Sequence, residues 1–259
     1  MVSIIIPTYN EESTIEECLA SLSKQSHKEL ETIVVDDGST DATTSKLRGA
    51  SKVLTQNHKG AGAARNLGAK HAKGEILVFV DADMTFDKDF VKKLIEPIEK
   101  GRAIGTFSKE EYLANKDNAW AISWNLNRGL PKDRMHPRNY PDTQSVFRAI
   151  LKKEFEKADG FDEKTGYTDD WSLSERLGAQ ALSAPGAIFY HKNPDTLKDV
   201  FVQSKWMAKR GYKFGILGGL IKAWFPIRLS LSFLIFKLVY VAGATIGVLE
   251  YFVLGKVSK

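Results

Sequence analysis

The sequence predicts an α/β protein with a doubly wound, mostly parallel sheet flanked by helices and an apolar helical segment at its C-terminal end. Two observations support this fold class. Through roughly the first hundred residues, short apolar runs typical of buried strands alternate with segments whose apolar residues recur at helical spacing. The most apolar part of the chain comes after the last predicted strand.

The first two strand and helix units follow each other directly. Val2–Ile6 predicts a buried strand that ends at Pro7, and Ile15–Leu22 has its apolar residues at helical spacing. Thr32–Val35 is the second predicted strand, and it runs into a cluster of acids. A helix is expected from about Ala42 onward.

The central strand is the next long apolar run. Lys52–Thr55 predicts a third strand, followed by a Gly/Ala-rich loop and a helix to Gly74. Ile76–Val80 then reads as a strand buried on both faces, because it is continuously apolar. Asp89–Lys100 predicts the helix that follows it.

The pattern loosens in the second half of the chain. A helix is expected around Trp120–Leu126, a mobile loop over Pro131–Pro141 and a strand over Gln144–Ile150. Another helix should open at Thr168, and Ala187–Tyr190 is the last predicted strand.

Composition excludes several classes of protein. The chain has 259 residues, of which 43% are hydrophobic and 27% charged, as expected for a globular protein. A single cysteine, Cys18, excludes an internal disulfide and a cysteine-based zinc site. The N-terminal run lacks a basic region and breaks at Pro7, so no signal peptide is predicted and a reducing, cytosolic setting is expected.

The formal net charge is +5, and its distribution indicates the partner. Basic residues concentrate just before the apolar C-terminal part, where only Asp199 opposes them. They are Lys198, Lys205, Lys209, Arg210, Lys213, Lys222 and Arg228. This favours an anionic lipid surface. No nucleic acid partner is expected, because no helix-turn-helix, RNA-binding sheet motif or metal finger appears.

Two acids, Asp81 and Asp83, follow the central strand. In parallel sheets the ligand crevice lies outside the carboxyl ends of the strands, so acids there are placed for a ligand. Mg²⁺ and Mn²⁺ prefer a few carboxylate oxygens plus substrate phosphates and water, and Asp-x-Asp supplies such a partial shell. The alternative is a solvated turn whose Asp caps the next helix.

Six short motifs occur in order along the chain. They run from Ile4 to Glu11, Val34 to Asp41, Ala64 to Gly68, Asp81 to Asp83, Gly160 to Glu163 and Asp169 to Leu173. This series resembles a family 2 glycosyltransferase of the GT-A fold, over about residues 1 to 210. The resemblance implies an inverting transfer of sugar from a nucleoside-diphosphate sugar of UDP or GDP type, assisted by Mg²⁺ or Mn²⁺.

The resemblance also assigns the donor site. The residues that it places at the nucleotide sugar are Pro7, Thr8, Tyr9, Glu11, Asp36, Asp37, Arg65, Asp81 and Ala82. It places Asp81 and Asp83 at the metal and diphosphate. His191 resembles a position that also binds the metal in some relatives, and the alternative is a histidine that only caps the strand end.

On the acceptor side the resemblance implies that Asp170 is the general base, with Asp169, Trp171 and Arg148 nearby. The family usually has Glu-Asp where this chain has Asp169-Asp170. Gln203–Trp206 is similar to the Gln-x-x-Arg-Trp motif of processive synthases, but it is one residue short and has Lys for Arg.

Three hypotheses about the function stay open, and two of them differ in the acceptor. The expected acceptor is a hydroxyl of a glycan or a lipid-linked glycan, since a hydroxyl needs a base. A polyprenyl-phosphate sugar synthase is the alternative, because polyprenyl phosphate is already ionised. A non-catalytic nucleotide-sugar-binding scaffold subunit is the alternative from another class, and a sugar nucleotidyltransferase is disfavoured because Pro7-Thr8-Tyr9 replaces its glycine-rich loop.

The expected domains are a catalytic domain over 1–210 and membrane-associating helices over 211–259. Residues 1–100 would form the nucleotide-sugar half and 101–210 the acceptor half. Leu229–Leu249 is long enough to cross a bilayer and Phe214–Phe225 is apolar enough to lie in the interface. Attachment to the cytoplasmic membrane face as a span, a hairpin or an in-plane helix is expected, and a helix packed on the catalytic domain is the alternative.

Overall fold

The structure is a computed structural model that describes residues 1–164, 169–225 and 230–258, without the side chains of Asp169 and Asp170. Thr168 and Arg228 lie outside the described residues. The chain forms two compact units. The first comprises Met1–Glu111 and Asn139–Tyr190, and the second comprises Tyr112–Arg138 and the chain from His191 onward.

Eleven strands occur in the described residues. They are β1 (Val2–Thr8), β2 (Leu30–Asp36), β3 (Lys52–Thr55), β4 (Ile76–Phe79), β5 (Met84–Phe86), β6 (Gly105–Phe107), β7 (Glu111–Leu113), β8 (Thr143–Gln144), β9 (Ala149–Leu151), β10 (Ala181–Ser183) and β11 (Phe189–His191). Eight of them form one sheet in the order β3-β2-β1-β4-β9-β6-β10-β8, and β5-β11-β7 form a second sheet.

Nine α-helices occur in the same residues. They are α1 (Ile15–Ser23), α2 (Ala61–His71), α3 (Phe90–Glu99), α4 (Ala119–Asn127), α5 (Lys152–Lys157), α6 (Asp169–Leu177), α7 (Leu197–Met207), α8 (Gly215–Trp224) and α9 (Leu231–Leu254).

The large sheet confirms the predicted fold class. Strands β3, β2, β1 and β4 run parallel, β6 and β10 run parallel to each other, and β9 is antiparallel to both β4 and β6. One antiparallel strand, β9, therefore lies in the middle of a mostly parallel sheet.

Successive side chains of β1 enter opposite halves of the core, as the period of a strand requires. Ile4 and Ile6 belong to one buried cluster, and Ile5 belongs to the other. Gly68 of α2 packs so closely that an added Cβ would lie 2.5 Å from Cγ2 of Ile5. The continuous apolar run thus reflects burial on both faces of the sheet, and the glycine permits close packing of the helix.

Two predicted elements differ from the structure. The helix expected from Ala42 is only a 3₁₀ turn over Thr43–Lys46. The Asp41 carboxylate accepts hydrogen bonds from the backbone N–H and hydroxyl of Thr43, and such local bonds compete with a helix. The strand expected over Gln144–Ile150 is two pieces, because β8 pairs with β10 while β9 pairs with β4 and β6.

In the second unit, α9 is the central helix. It packs on α7, α8 and α4, and Trp124, Val200, Phe233 and Phe236 form a buried cluster there. α8 and α9 belong to the same unit as α4 and α7. The predicted domain boundaries, 1–210 and 211–259, stay a prediction. The division of labour between the predicted domains stays a prediction.

Candidate functional site

Charged side chains from three parts of the first unit meet at the carboxyl end of β4. Val80 is buried, and Asp81 follows it with a side chain that is 29% exposed. One carboxylate oxygen of Asp81 accepts from Nη2 of Arg65 at 2.8 Å, and the other accepts from Nη1 of Arg148 at 3.2 Å. Asp81 therefore joins two guanidinium groups at the strand end.

Both arginines are fixed by packing as well as by charge. Arg65 lies on α2, its side chain is only 7% exposed, and its guanidinium stands over the ring of Phe161. Arg148 directly precedes β9, and its guanidinium stands over the ring of Phe189. Two guanidinium groups held in place in this way suit an anionic group such as a diphosphate.

The donor atoms at this strand end fit Mg²⁺ or Mn²⁺. Asp83 lies partly buried two residues beyond Asp81. Burial first, and then the carboxylates of Asp83 and Asp81, raise the pKa of the Cys18 thiol. Asp81 and Asp83 supply carboxylate oxygens, the donor type that Mg²⁺ and Mn²⁺ prefer. Among the described residues no three His, Cys, Asp or Glu side chains converge.

Asp81 can serve in two ways at this strand end. Both of its oxygens accept hydrogen bonds from arginine, so it is placed to position the two guanidinium groups. Each carboxylate oxygen has a second lone pair, so Asp81 stays a candidate metal ligand beside Asp83.

The loops that follow β1 and β2 are tied to each other. The backbone N–H of Asn10 donates to Oγ of Ser39, and the amide oxygen of Asn10 accepts from the backbone N–H of Thr40. Asn10 has φ 57°, a left-handed conformation that asparagine tolerates. Thr8 is buried at the end of β1, whereas Tyr9 is 42% exposed.

Asp37 organises the loop that precedes α2. Its carboxylate accepts from Nε2 of Gln56 at 2.6 Å and from the backbone N–H groups of Lys59 at 2.9 Å and Gly60 at 2.8 Å. Nδ1 of His58 lies 2.9 Å from the same carboxylate. These four contacts show that Asp37 shapes the loop.

His58 was not singled out from the sequence. Its ring stacks on Tyr9 with centroids 4.0 Å apart. A lone histidine in a polar loop carries no periodicity or spacing that indicates such a contact. Asp36 is buried beside this loop, and its Oδ1 accepts from the backbone N–H of Ser39 at 3.2 Å.

The structure describes only some of the predicted acceptor-side residues. α6 runs over Asp169–Leu177, whereas Thr168, where the helix was expected to open, and the side chains of Asp169 and Asp170 lie outside the described part of the structure. Trp171 is 52% exposed. Arg148 contacts Asp81, and His191 is the last residue of β11 and belongs to the second unit. The roles of these residues stay predictions.

Comparison with known proteins agrees with the motif series. Residues 3–158 match the sequence profile of Glycosyl transferase family 2. The chain is 30% identical over 219 residues to the uncharacterized glycosyltransferase EpsJ of Bacillus subtilis (strain 168), covering 77% of this chain and 63% of EpsJ. The chain thus spans less than two thirds of the length of that relative.

Two solved structures share the fold. Staphylococcus aureus TarS 1-349 in complex with UDP-GlcNAc has a TM-score of 0.60 at 18% identity, over 97% of this chain and 73% of that one. The mannosyltransferase PcManGT from Pyrobaculum calidifontis, in complex with GDP-Man and Mn²⁺, has a TM-score of 0.58 at 22% identity, over 95% and 69%. At these identities the likeness establishes the fold.

Proposed function

Because the chain belongs to glycosyltransferase family 2 and has the GT-A fold, we propose that it transfers a sugar, with inversion, from a nucleoside-diphosphate sugar to a hydroxyl group. The observation that carries this proposal is the cluster at the end of β4, where Asp81 holds Arg65 and Arg148. A fixed pair of guanidinium groups is suited to the diphosphate of such a donor.

The donor would lie along the carboxyl ends of β1, β2 and β4. Tyr9 offers an exposed ring for the base, and Thr8, Glu11 and Asp36 border the loops where the ribose would lie. UDP-GlcNAc and GDP-Man are the donors in the two similar structures, and they support a UDP or GDP sugar here.

Asp83, with Asp81 beside it, would hold Mg²⁺ or Mn²⁺, and PcManGT was solved with Mn²⁺. When bound, the cation supplies positive charge where the departing nucleoside diphosphate becomes more negative. Arg65 and Arg148 would add positive charge beside the departing diphosphate. Asp81 holds both guanidinium groups in place before the reaction, so little reorganisation is needed. A protein acid on the leaving group is then unnecessary.

Asp170 would take the proton of the acceptor hydroxyl at the other face of the sugar, as the family motif implies. A positioned base of this kind typically contributes about 10² to 10⁴ in rate. A polyprenyl phosphate acceptor would need no base, so a strong requirement for Asp170 favours a hydroxyl on a glycan or lipid-linked acceptor.

The place of action would be the cytoplasmic membrane face, through the C-terminal helices. Of the described helices, α9 is the one long and apolar enough to cross a membrane by length and composition. The neighbouring basic residues support attraction to anionic lipid.

The test is transfer with the full-length protein, membrane extract and a panel of UDP and GDP sugars, with mass spectrometry of the product. We expect one donor to yield a metal-dependent product. Asp170→Asn should bind that donor without turnover. Binding without any transfer or donor hydrolysis by the natural sequence would instead identify a scaffold subunit, and a sugar on polyprenyl phosphate would identify the synthase.

A further inference from the structure

We propose that α8 and α9 form an in-plane membrane anchor that lies in one leaflet and holds the phosphate of an anionic phospholipid beside Arg210 and Lys222. The inference rests on the membrane attachment proposed above and goes beyond it. It names the orientation of the anchor and the lipid chemistry that it binds.

One side of α9 is fully engaged with protein. Gly243 and Gly247 face the backbone of α7, where an added Cβ would collide with the carbonyl oxygens of Phe201 and Lys205. This close approach runs along the length of the helix contact and leaves no room for lipid between α9 and α7.

α9 also makes polar contacts with its neighbours in its first and last thirds. Lys237 is buried and donates from Nζ to Oδ1 of Asn127 on α4 at 2.5 Å. Glu250 pairs with Lys205 at 2.8 Å and with Lys209 at 2.9 Å. α9 is therefore tied by polar contacts to α4 at Lys237, and to Lys205 of α7 and the adjoining Lys209 at Glu250.

These contacts decide between a span and an in-plane helix. A helix that crossed the bilayer would take α7 with it, and α7 carries Lys198, Asp199 and Lys205. Charged residues in the hydrocarbon are costly, and nonhelical connections to α7 would enter it as well. An in-plane position leaves α7 and its charges on the aqueous side.

The opposite side of α9 is exposed and apolar. Its exposed residues recur every three or four positions and so lie on one stripe: Leu231, Leu234, Ile235, Leu238, Ile246, Leu249, Phe252 and Val253. α8 adds Leu217, Ile221 and Trp224. The two helices contact each other where Gly219 meets Val248, so they belong to one anchor.

The charge of this region selects lipid over a protein partner. Residues 200–249 contain no Asp or Glu, but they contain seven basic residues. Asp199 and Glu250 flank this range, so the charge bordering the apolar face is mainly positive, and such a face is complementary to an anionic membrane surface.

A small cavity among α7, α8 and α9 provides the headgroup site. It has a volume of about 20 Å³ and is lined by Arg210, Tyr212, Lys222, Tyr240 and others. That is room for one water-sized group, such as one phosphate oxygen. Burial, and then the charge of Arg210, lower the pKa of Lys222. The negative charge of a bound phosphate would favour the protonated ammonium and so act against this shift.

Vesicle flotation of the full-length protein tests the headgroup site. We expect phosphatidylcholine vesicles with about a quarter phosphatidylglycerol to be bound at least tenfold more tightly than phosphatidylcholine alone. Lys222→Gln should weaken binding to the mixed vesicles more than tenfold. Lys198→Gln removes an exposed lysine of α7 and should cost at most about fivefold, the effect of one surface charge. Equal losses in the two variants would overturn the phosphate site.

The orientation of α9 is tested by measuring how deeply a residue in its middle lies in the bilayer. Ala242 is exposed near the middle of α9, and Ala242→Cys can carry an environment-sensitive fluorophore because the natural Cys18 is buried. Lipid nitroxides near the headgroup should quench it more than nitroxides near the bilayer centre. Stronger quenching from the centre would mean that α9 spans, and would overturn the in-plane anchor.

Two further outcomes overturn the proposal without affecting the transfer reaction. Full-length protein that floats with neither vesicle type has no membrane anchor. A stable dimer in solution that ignores vesicles would mean that a second copy of the chain covers the apolar face. Donor binding and transfer to a soluble acceptor would still be measured in both cases, so failure of the anchor and failure of the proposed function are distinguishable.

Discussion

Replacing Asp81 with Asn separates the two roles that a strand-end acid can have. The change keeps the shape of the side chain and removes the negative charge that Arg65 and Arg148 share. If Asp81 positions the arginines, the variant should lose nucleotide affinity in the presence and in the absence of Mn²⁺. If Asp81 is a metal ligand, only the Mn²⁺-dependent part should be lost.

The size of the effect follows from burial. A hydrogen bond to a charged group contributes about 1.5–3 kcal/mol, and breaking a fully buried ion pair costs about 3–5 kcal/mol. The side chain of Arg65 is 7% exposed, but that of Asp81 is 29% exposed, so water offsets part of the loss. We expect the free energy of unfolding to fall by about 2 kcal/mol, and the affinity for UDP or GDP to fall by about tenfold.

Calorimetric titration of Asp81→Asn with UDP and GDP, each with and without Mn²⁺, measures the metal-free and the Mn²⁺-dependent parts of the nucleotide affinity. Asp83→Asn is the matched control, and it should keep the metal-free affinity and lose the gain from Mn²⁺. Metal-free affinity equal to that of the natural protein in Asp81→Asn, with only the Mn²⁺ gain lost, would refute the assignment of Asp81 as the residue that positions the arginines.

Asp170→Asn should bind donor normally but lose about 10² to 10⁴ in turnover, and near-normal transfer would contradict its role as base. Gly68→Ala should lower the free energy of unfolding by about 1–3 kcal/mol through overpacking against β1, as measured by urea unfolding. Lys70→Ala on the exposed side of α2 is its control, and an equal effect would show that packing is not the cause. Hydrogen bonds from Lys205 and Lys209 lower the pKa of Glu250 from 4.5 to about 2. The stability that this ion pair contributes is therefore complete above about pH 4.5 and is lost as the pH falls toward 2. Glu250→Gln should flatten the acid-unfolding curve by circular dichroism in that range, and an unchanged curve would exclude the pair as its source.

The parallel half of the sheet could be predicted from the sequence, because its signal is local. Ile4–Ile6 and Ile76–Val80 are continuously apolar since both faces of these strands are buried. The same runs stop where the chain reaches the surface, so Asp81 and Asp83 could be assigned to a strand end without coordinates.

The insertion of β9 between β4 and β6 could not be predicted in this way. Antiparallel pairing over a long sequence separation leaves no local signature. It is this insertion that brings Arg148 to Asp81, 67 residues away in the chain. The stacking of His58 on Tyr9 is likewise a contact between loops, and loops carry no periodic pattern.

The C-terminal helix shows the same division. Its length and apolar composition are local properties, so the sequence by itself determined that α9 is long enough to cross a bilayer and is preceded by positive charge. Only the tertiary structure decided which side of the helix meets protein. The buried contacts of Lys237, Gly243, Gly247 and Glu250 depend on where α4 and α7 lie, and no pattern within α9 alone records the position of its neighbours.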